Sequence, residues 1–125
     1  MVGSDIFVAE FARHSALFPR AAATIHQGGA GTLHQALRAG RPMLVVPHAH
    51  DQPDNAHRVE RLGVSRTLPA PRYRASRVVD ELRTLLEDDG YGRRAEEVAT
   101  IVRREDGVAA ACDALEALLG ERCLT

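Results

Sequence analysis

Hydrophobic positions in the first half of the chain fall in short, nearly continuous runs, most of them closed by glycine or proline. Ile6 to Phe11 is the first, followed by a helical turn over Ser15 to Phe18 that Pro19 interrupts. Ala22 to His26 is short, apolar and partly β-branched, and Met43-Leu44-Val45-Val46 is apolar at every position before Pro47. Runs without alternation are what strands buried on both faces require, so these segments and Val64 to Leu68 predict four parallel strands. Between them the spacing becomes helical. Thr32 to Ala39 runs unbroken to Gly40, and Asp54 to Leu62 carries Ala56, Val59 and Leu62 before Gly63. Strands and helices alternating in this way predict βαβ units, an α/β, Rossmann-like parallel sheet with flanking helices.

From residue 69 onward the pattern is helical throughout. Ser76 stands where a cap would, ahead of a stripe made of Val78, Val79, Leu82, Leu85 and Leu86. Tyr91 to Arg104 carries Ala95, Val98, Ala99 and Val102 at helical spacing. After Gly107 a last helix gathers Val108, Ala111, Cys112, Leu115, Leu118 and Leu119 on one side, which predicts Cys112 as a small core residue. At 125 residues the chain is one domain, with 1–68 as its sheet and site-bearing part and 69–125 as its helical part. Pro69-Ala70-Pro71 marks the joint. Four strands are fewer than a complete doubly wound domain has, and the chain opens abruptly on one of them. The pattern therefore predicts part of something larger, without the first strands of its domain.

Charge narrows the partners. Seventeen acidic residues nearly cancel sixteen basic ones, all of them arginine, so nothing argues for nucleic acid or an anionic membrane. Two cysteines make no disulfide framework. No apolar run reaches membrane-spanning length and the start lacks a signal-peptide pattern, so a cytoplasmic protein is expected.

The candidate chemistry sits in two loops. His26-Gln27-Gly28-Gly29-Ala30-Gly31-Thr32 joins a predicted strand to a predicted helix. Such a turn aims unpaired backbone N–H groups and a positive helix end at an anion, with Thr32 adding a hydroxyl and His26 a ring N–H. It matches neither the P-loop nor G-x-G-x-x-G, and on its own it reads equally as a tight structural turn. The second loop, Pro47-His48-Ala49-His50-Asp51-Gln52, lies at the end of the next strand, where ligands of such sheets bind. Three readings stand open. His48, His50 and Asp51, with His57 nearby, offer metal-ligand chemistry and hence a metal-dependent hydrolase. Asp51 and Gln52 together offer the acceptors and donors that sugar hydroxyls need. Alternatively the loop is solvated and caps the next helix through Asp51 or Asp54.

Several segments agree in order and spacing with one family. Arg13-His14-Ser15-Ala16-Leu17-Phe18-Pro19-Arg20, the run from His26 to Thr32, and Ala36-Leu37-Arg38-Ala39-Gly40-Arg41-Pro42 resemble the UDP-glycosyltransferases. So do Val45-Val46-Pro47, Asp51-Gln52-Pro53-Asp54-Asn55-Ala56, Arg58-Val59, Leu62-Gly63-Val64 and Asp106-Gly107-Val108-Ala109-Ala110-Ala111. The likeness is to bacterial members that glycosylate lipids, sterols, macrolides and other natural products. It implies the C-terminal, donor-binding half of a GT-B fold. It also implies that His26 contacts the donor diphosphate, and that Gly28, Gly29, Ala30, Gly31 and Thr32 present donors to the same phosphates. Asp51 and Gln52 then hold the transferred sugar, and the segment around Arg13 and His14 reads the nucleobase.

There are departures from that pattern. Gln27 stands where many bacterial relatives have a second histidine, and Arg13 where many have proline, which leaves the choice between UDP and dTDP sugars open. His34 occupies the position of a ribose-binding glutamate in plant relatives. The family's catalytic base is a histidine of the N-terminal domain, matched by none of the six histidines here. The resemblance thus implies inverting transfer of a sugar from a UDP- or dTDP-sugar to an acceptor hydroxyl of a small molecule or lipid. No catalytic residue, metal or cofactor is expected in this chain, and an N-terminal acceptor domain or partner subunit is. The alternatives are a noncatalytic nucleotide- or phosphate-binding module, a truncated remnant, and, third, the metal-dependent hydrolase.

Overall fold

The structure is a computed structural model that describes residues 5–123, with side chains described through residue 120. A short helix, α1 (His14–Leu17), continues into a 3₁₀ turn over Phe18–Arg20. Next come β1 (Thr24–His26), α2 (Ala30–Ala39), β2 (Met43–Val45), α3 (Gln52–Arg61) and β3 (Ser65–Thr67). A 3₁₀ turn over Ala70–Arg72 leads to α4 (Ala75–Glu87), α5 (Asp89–Val102) and α6 (Gly107–Cys123). The three strands form one parallel sheet in the order β1-β2-β3, with Thr24, Met43 and Ser65 in one row and His26, Val45 and Thr67 in another. Each crossover is a helix, and consecutive strands step in one direction, as in one half of a doubly wound sheet.

Strand β2 is buried on both faces because both are covered. Met43 and Val45 pack with Leu33 and Ala36 of α2, Ala56 and Val59 of α3, and Ala95, Val98 and Val102 of α5. Leu44 and Val46 face the other way, onto Leu68 and Leu85, with Val78, Leu82 and Tyr91 against them. Helix α5 joins the layers, packing on both α2 and α4. Helix α2 stops at Gly40, whose φ of +71° is a left-handed cap that side chains disfavour. Arg103 braces that end by donating to the carbonyls of Arg38 (2.9 Å) and Ala39 (3.3 Å).

Four expectations are corrected. Ile6 to Phe11 is not a strand: it has no regular structure and joins no ladder, so among the described residues the sheet has three strands. An apolar run marks residue types that suit a sheet; a strand also needs a neighbour's N–H and C=O groups. Pro19 does not interrupt the first turn but sits at the second position of the 3₁₀ segment, where its missing N–H costs no hydrogen bond. Arg74, not Ser76, is the N-cap of α4, and it offers no side-chain capping bond. Cys112 is exposed, because the apolar side of α6 finds no core to enter. Val79 and Leu86 of the α4 stripe are likewise exposed while Leu85 is buried.

Candidate functional site

The ends of β1 and β2 open onto the same sheet edge, and each leads through a short loop into a helix. After β1, Gly28 turns the chain at a φ of +86°. A Cβ there would lie 2.7 Å from Val45 Cγ1 and 3.6 Å from the Gln52 carbonyl oxygen, so only glycine lets the turn press against β2 and the start of α3. Helix α2 begins at Ala30, two residues earlier than the periodicity predicts, with Gly29 as an N-cap that offers no side chain. Leu33 N–H bonds back to the Gly29 carbonyl at 2.9 Å. The N–H groups of Ala30, Gly31 and Thr32 thus stand free at a positive helix end. A Cβ on Gly31 would meet nothing within 4 Å, so that end is open to a ligand.

His26 closes β1 and is bound into the turn. Its Nδ1 accepts the Gly28 N–H at 3.1 Å, so Gly28 has no N–H left for a ligand. Accepting at Nδ1 fixes the neutral tautomer and puts the ring proton on Nε2. That Nε2 is buried without a partner among the described residues. Burial, aided by the nearby His14, pulls the imidazole pKa down from 6.5 to about 4. At neutral pH the site therefore holds an uncharged N–H donor. Among the described residues the other two buried, unpartnered side-chain atoms are the hydroxyls of Thr24 and Ser65, in the first row of the sheet, away from this edge.

The second loop is built on the start of α3. Helix α3 begins at Gln52 with Asp51 as N-cap, two residues before the predicted Asp54, so both candidate sugar-binding residues belong to its first turn. Asp51 makes no capping bond. Its Oδ2 instead accepts from Asn55 Nδ2 at 2.8 Å, and the same Nδ2 donates to the Gly28 carbonyl at 3.0 Å. Gln52 Oε1 accepts the backbone N–H groups of His48 (2.9 Å) and Ala49 (3.2 Å), which braces the loop and leaves its amide N–H₂ for other partners. His50 has a φ of +59°, the only described non-glycine residue in that region. No three His, Cys, Asp or Glu side chains among the described residues are grouped as an ion would need, so His48, His50 and Asp51 form no ligand set.

Tertiary structure thus brings His26, the α2 start, Asp51 and Gln52 to one edge. His14 joins them, stacked on Phe18 with ring centroids 4.5 Å apart. Arg13 is exposed and lines a separate groove of about 540 Å³ with Phe7, Phe11 and Leu17. Asn55 was missed by the sequence reading; its position one helical turn after Asp51 was the available signal.

Comparison with known proteins gives this geometry its context. A family model described as erythromycin biosynthesis protein CIII-like, C-terminal domain, matches residues 2–115. Glycosyltransferase GtfE of Amycolatopsis orientalis is 43% identical over 94% of this chain and 28% of its own length. The vancomycin aglycone glucosyltransferase of the same organism is 40% identical over 87% of this chain and 26% of its own. Among solved structures, glycosyltransferase VinC in complex with dTDP aligns with a TM-score of 0.89 at 25% identity, over 97% of this chain and 31% of VinC. SnogD from Streptomyces nogalater gives 0.74 at 30% identity, over 94% of this chain and 31% of its own. The chain spans between a quarter and a third of each of these relatives. It belongs to the erythromycin biosynthesis protein CIII-like C-terminal domain family, the C-terminal domain of GT-B glycosyltransferases.

Proposed function

We propose that this chain is the donor-binding half of an inverting glycosyltransferase that moves a sugar from a UDP- or dTDP-sugar to an acceptor hydroxyl. The observation that carries the reading is the His26 ring: a buried Nε2–H without a partner, on the same turn as the open end of α2. In inverting transfer the acceptor oxygen attacks the anomeric carbon as the bond to the diphosphate breaks on the opposite face. Negative charge grows on the leaving diphosphate, and donors already in place stabilise it without reorganising. The N–H groups of Ala30, Gly31 and Thr32, the Thr32 hydroxyl and His26 Nε2–H are such donors. Neutrality at His26 suits the role, because Nε2–H donates a hydrogen bond at physiological pH without any change in the charge of the ring.

Asp51 and the free amide of Gln52 would take the sugar hydroxyls and orient the anomeric carbon. On this reading the segment around Arg13 and His14 would read the base, and the place of His14 beside His26 supports its part in that. That VinC was solved with dTDP supports testing dTDP first. The proton of the acceptor hydroxyl must go to a base outside these residues, on an N-terminal acceptor domain or a partner subunit. The surface supports such a partner. It measures 9137 Å², whereas a folded monomer of 13.6 kDa exposes about 6,600 Å². Ile25 on the uncovered face of β1 and Leu115 and Leu119 of α6 are among the apolar residues in that excess.

Titration calorimetry with dTDP, UDP and their glucose conjugates tests the reading. Binding is expected, and His26→Asn should weaken it by roughly ten- to a hundredfold. Asparagine can still accept the Gly28 N–H but lacks the Nε2 donor. No binding of any of the four at millimolar concentration would overturn the donor site for this chain. Binding of nucleotides without any gain from the glucose would favour a noncatalytic nucleotide module.

A further inference from the structure

Two loops that depend on different strands must keep one geometry if a single ligand is to touch both. One side chain connects them. Asn55 Nδ2 has two protons and uses both, one on the Gly28 carbonyl at 3.0 Å and one on Asp51 Oδ2 at 2.8 Å. The contact to Asp51 is local, since Asn55 N–H also bonds the Asp51 carbonyl in the helix at 2.9 Å. The contact to Gly28 reaches across 27 positions of sequence. From Gly28 the connection continues, because its N–H fills His26 Nδ1. The line therefore runs from the imidazole through the two peptide groups flanking the Gly28 Cα to the Asn55 amide, and ends on the Asp51 carboxylate.

We propose that Asn55 is a positioning residue of the donor site, setting the His26–Gly28 turn and the Asp51 carboxylate at one spacing so that a single nucleotide sugar meets both. This rests on the reading of His26 and Asp51 as donor ligands. The chemistry of the position is restrictive. Both partners are oxygens, so the bridge must donate twice, and a neutral primary amide does so without adding charge. By occupying Oδ2, Asn55 also fixes the plane of the carboxylate and leaves Oδ1 open for hydroxyl groups. Aspartate at 55 has the same shape but would set a second carboxylate against the Gly28 carbonyl and the Asp51 carboxylate. Alanine would leave the Gly28 carbonyl without its side-chain donor.

The wild-type chain supplies the first measurement. With ¹⁵N and ¹³C labelling, a scalar coupling across the hydrogen bond from Asn55 Nδ2 to the Gly28 carbonyl carbon is expected; its absence overturns the bridge. Calorimetry then compares wild type, Asn55→Asp and Asn55→Ala against dTDP and dTDP-glucose, with His26 ring ¹⁵N shifts reporting the tautomer. Both variants should shift the His26 nitrogens. They should also weaken dTDP-glucose about tenfold or more, and weaken dTDP itself less, because the phosphate donors of α2 remain. Asn55→Gln, with the same two protons, should recover part of the sugar affinity, which a merely structural role would not produce. If dTDP-glucose affinity and the His26 shifts stay within twofold and unmoved in both variants, the positioning role is wrong while the donor site stands. If wild type binds neither ligand, the donor-site reading itself falls.

Discussion

His26 is the residue whose chemistry depends most on its surroundings. In the unfolded chain it titrates near 6.5, and in the fold near 4, chiefly because burial disfavours the charged ring. As pH falls through that window the unfolded chain takes up the proton first. Stability from keeping the ring neutral is therefore complete above about 6.5 and is lost as pH approaches 4. Denaturant unfolding of wild type and His26→Asn should show the wild-type advantage shrinking between pH 7 and pH 4. A difference that does not change with pH would rule this out. Glycines two and five positions further on separate structure from binding. Gly28→Ala places a methyl against Val45 at a disfavoured φ, and a loss of about 2–4 kcal/mol is expected. Gly31→Ala meets open space inside a helix, so it should gain about 0.5–1 kcal/mol of stability. On the proposed reading the same methyl stands where the diphosphate approaches, so thermal melts should improve while dTDP affinity falls.

Elements were legible where local pattern and burial agree. Thr24–His26, Met43–Val45 and Ser65–Thr67 lie within the predicted segments and are strands because each has a parallel neighbour to bond, β2 on both sides and β1 and β3 through β2. Helices α2 and α3 start at Ala30 and Gln52, two residues before the pattern predicts, since neither shows a side-chain capping bond at its N-cap that the sequence could announce. The tie between β3, α4 and α5 was invisible altogether. Arg66 pairs with Glu81 of α4 and donates to the Tyr91 hydroxyl of α5 at 3.2 Å, joining elements 15 and 25 positions apart. The Arg66 side chain is about a third exposed and that of Glu81 about a fifth, between a surface pair and a buried one. Glu81→Ala is expected to cost about 1–3 kcal/mol in denaturant titrations, with Arg66 left beside Tyr91 alone. A loss below about 0.3 kcal/mol would assign the docking of α4 to Leu85 and Leu82 instead.

The molecule as a body is a three-layer α/β unit with a well-filled centre and unfilled flanks. Helix α4 packs on β2 and β3, which leaves Ile25 of β1 at 42% exposure on the same sheet face. Phe7 and Phe11 lie bare before α1, and the described side chains of α6 are all exposed. Apolar surface of this extent associates or meets a partner. Sedimentation should show concentration-dependent self-association of the isolated chain. Leu115→Glu with Leu119→Glu should reduce it while changing unfolding free energy by no more than about 0.5 kcal/mol, because neither side chain touches the core. A large loss of stability would mean that α6 packs on the body. No described helix is long and apolar enough to cross a membrane.

What the sequence determined by itself was the kind of fold and the family. Strand and helix periods, turn glycines and the two loop motifs are local, and local spacing survives in a string of letters. The candidate ligands His26, Asp51 and Gln52 were visible for the same reason. Only the tertiary structure decided how they are held. Whether Ile6 to Phe11 pairs, whether Cys112 is buried, which proton His26 carries and what Asn55 connects all depend on groups far apart in sequence. Hydrogen bonds and burial at those places are fixed by packing, and packing is settled only when the chain has closed on itself.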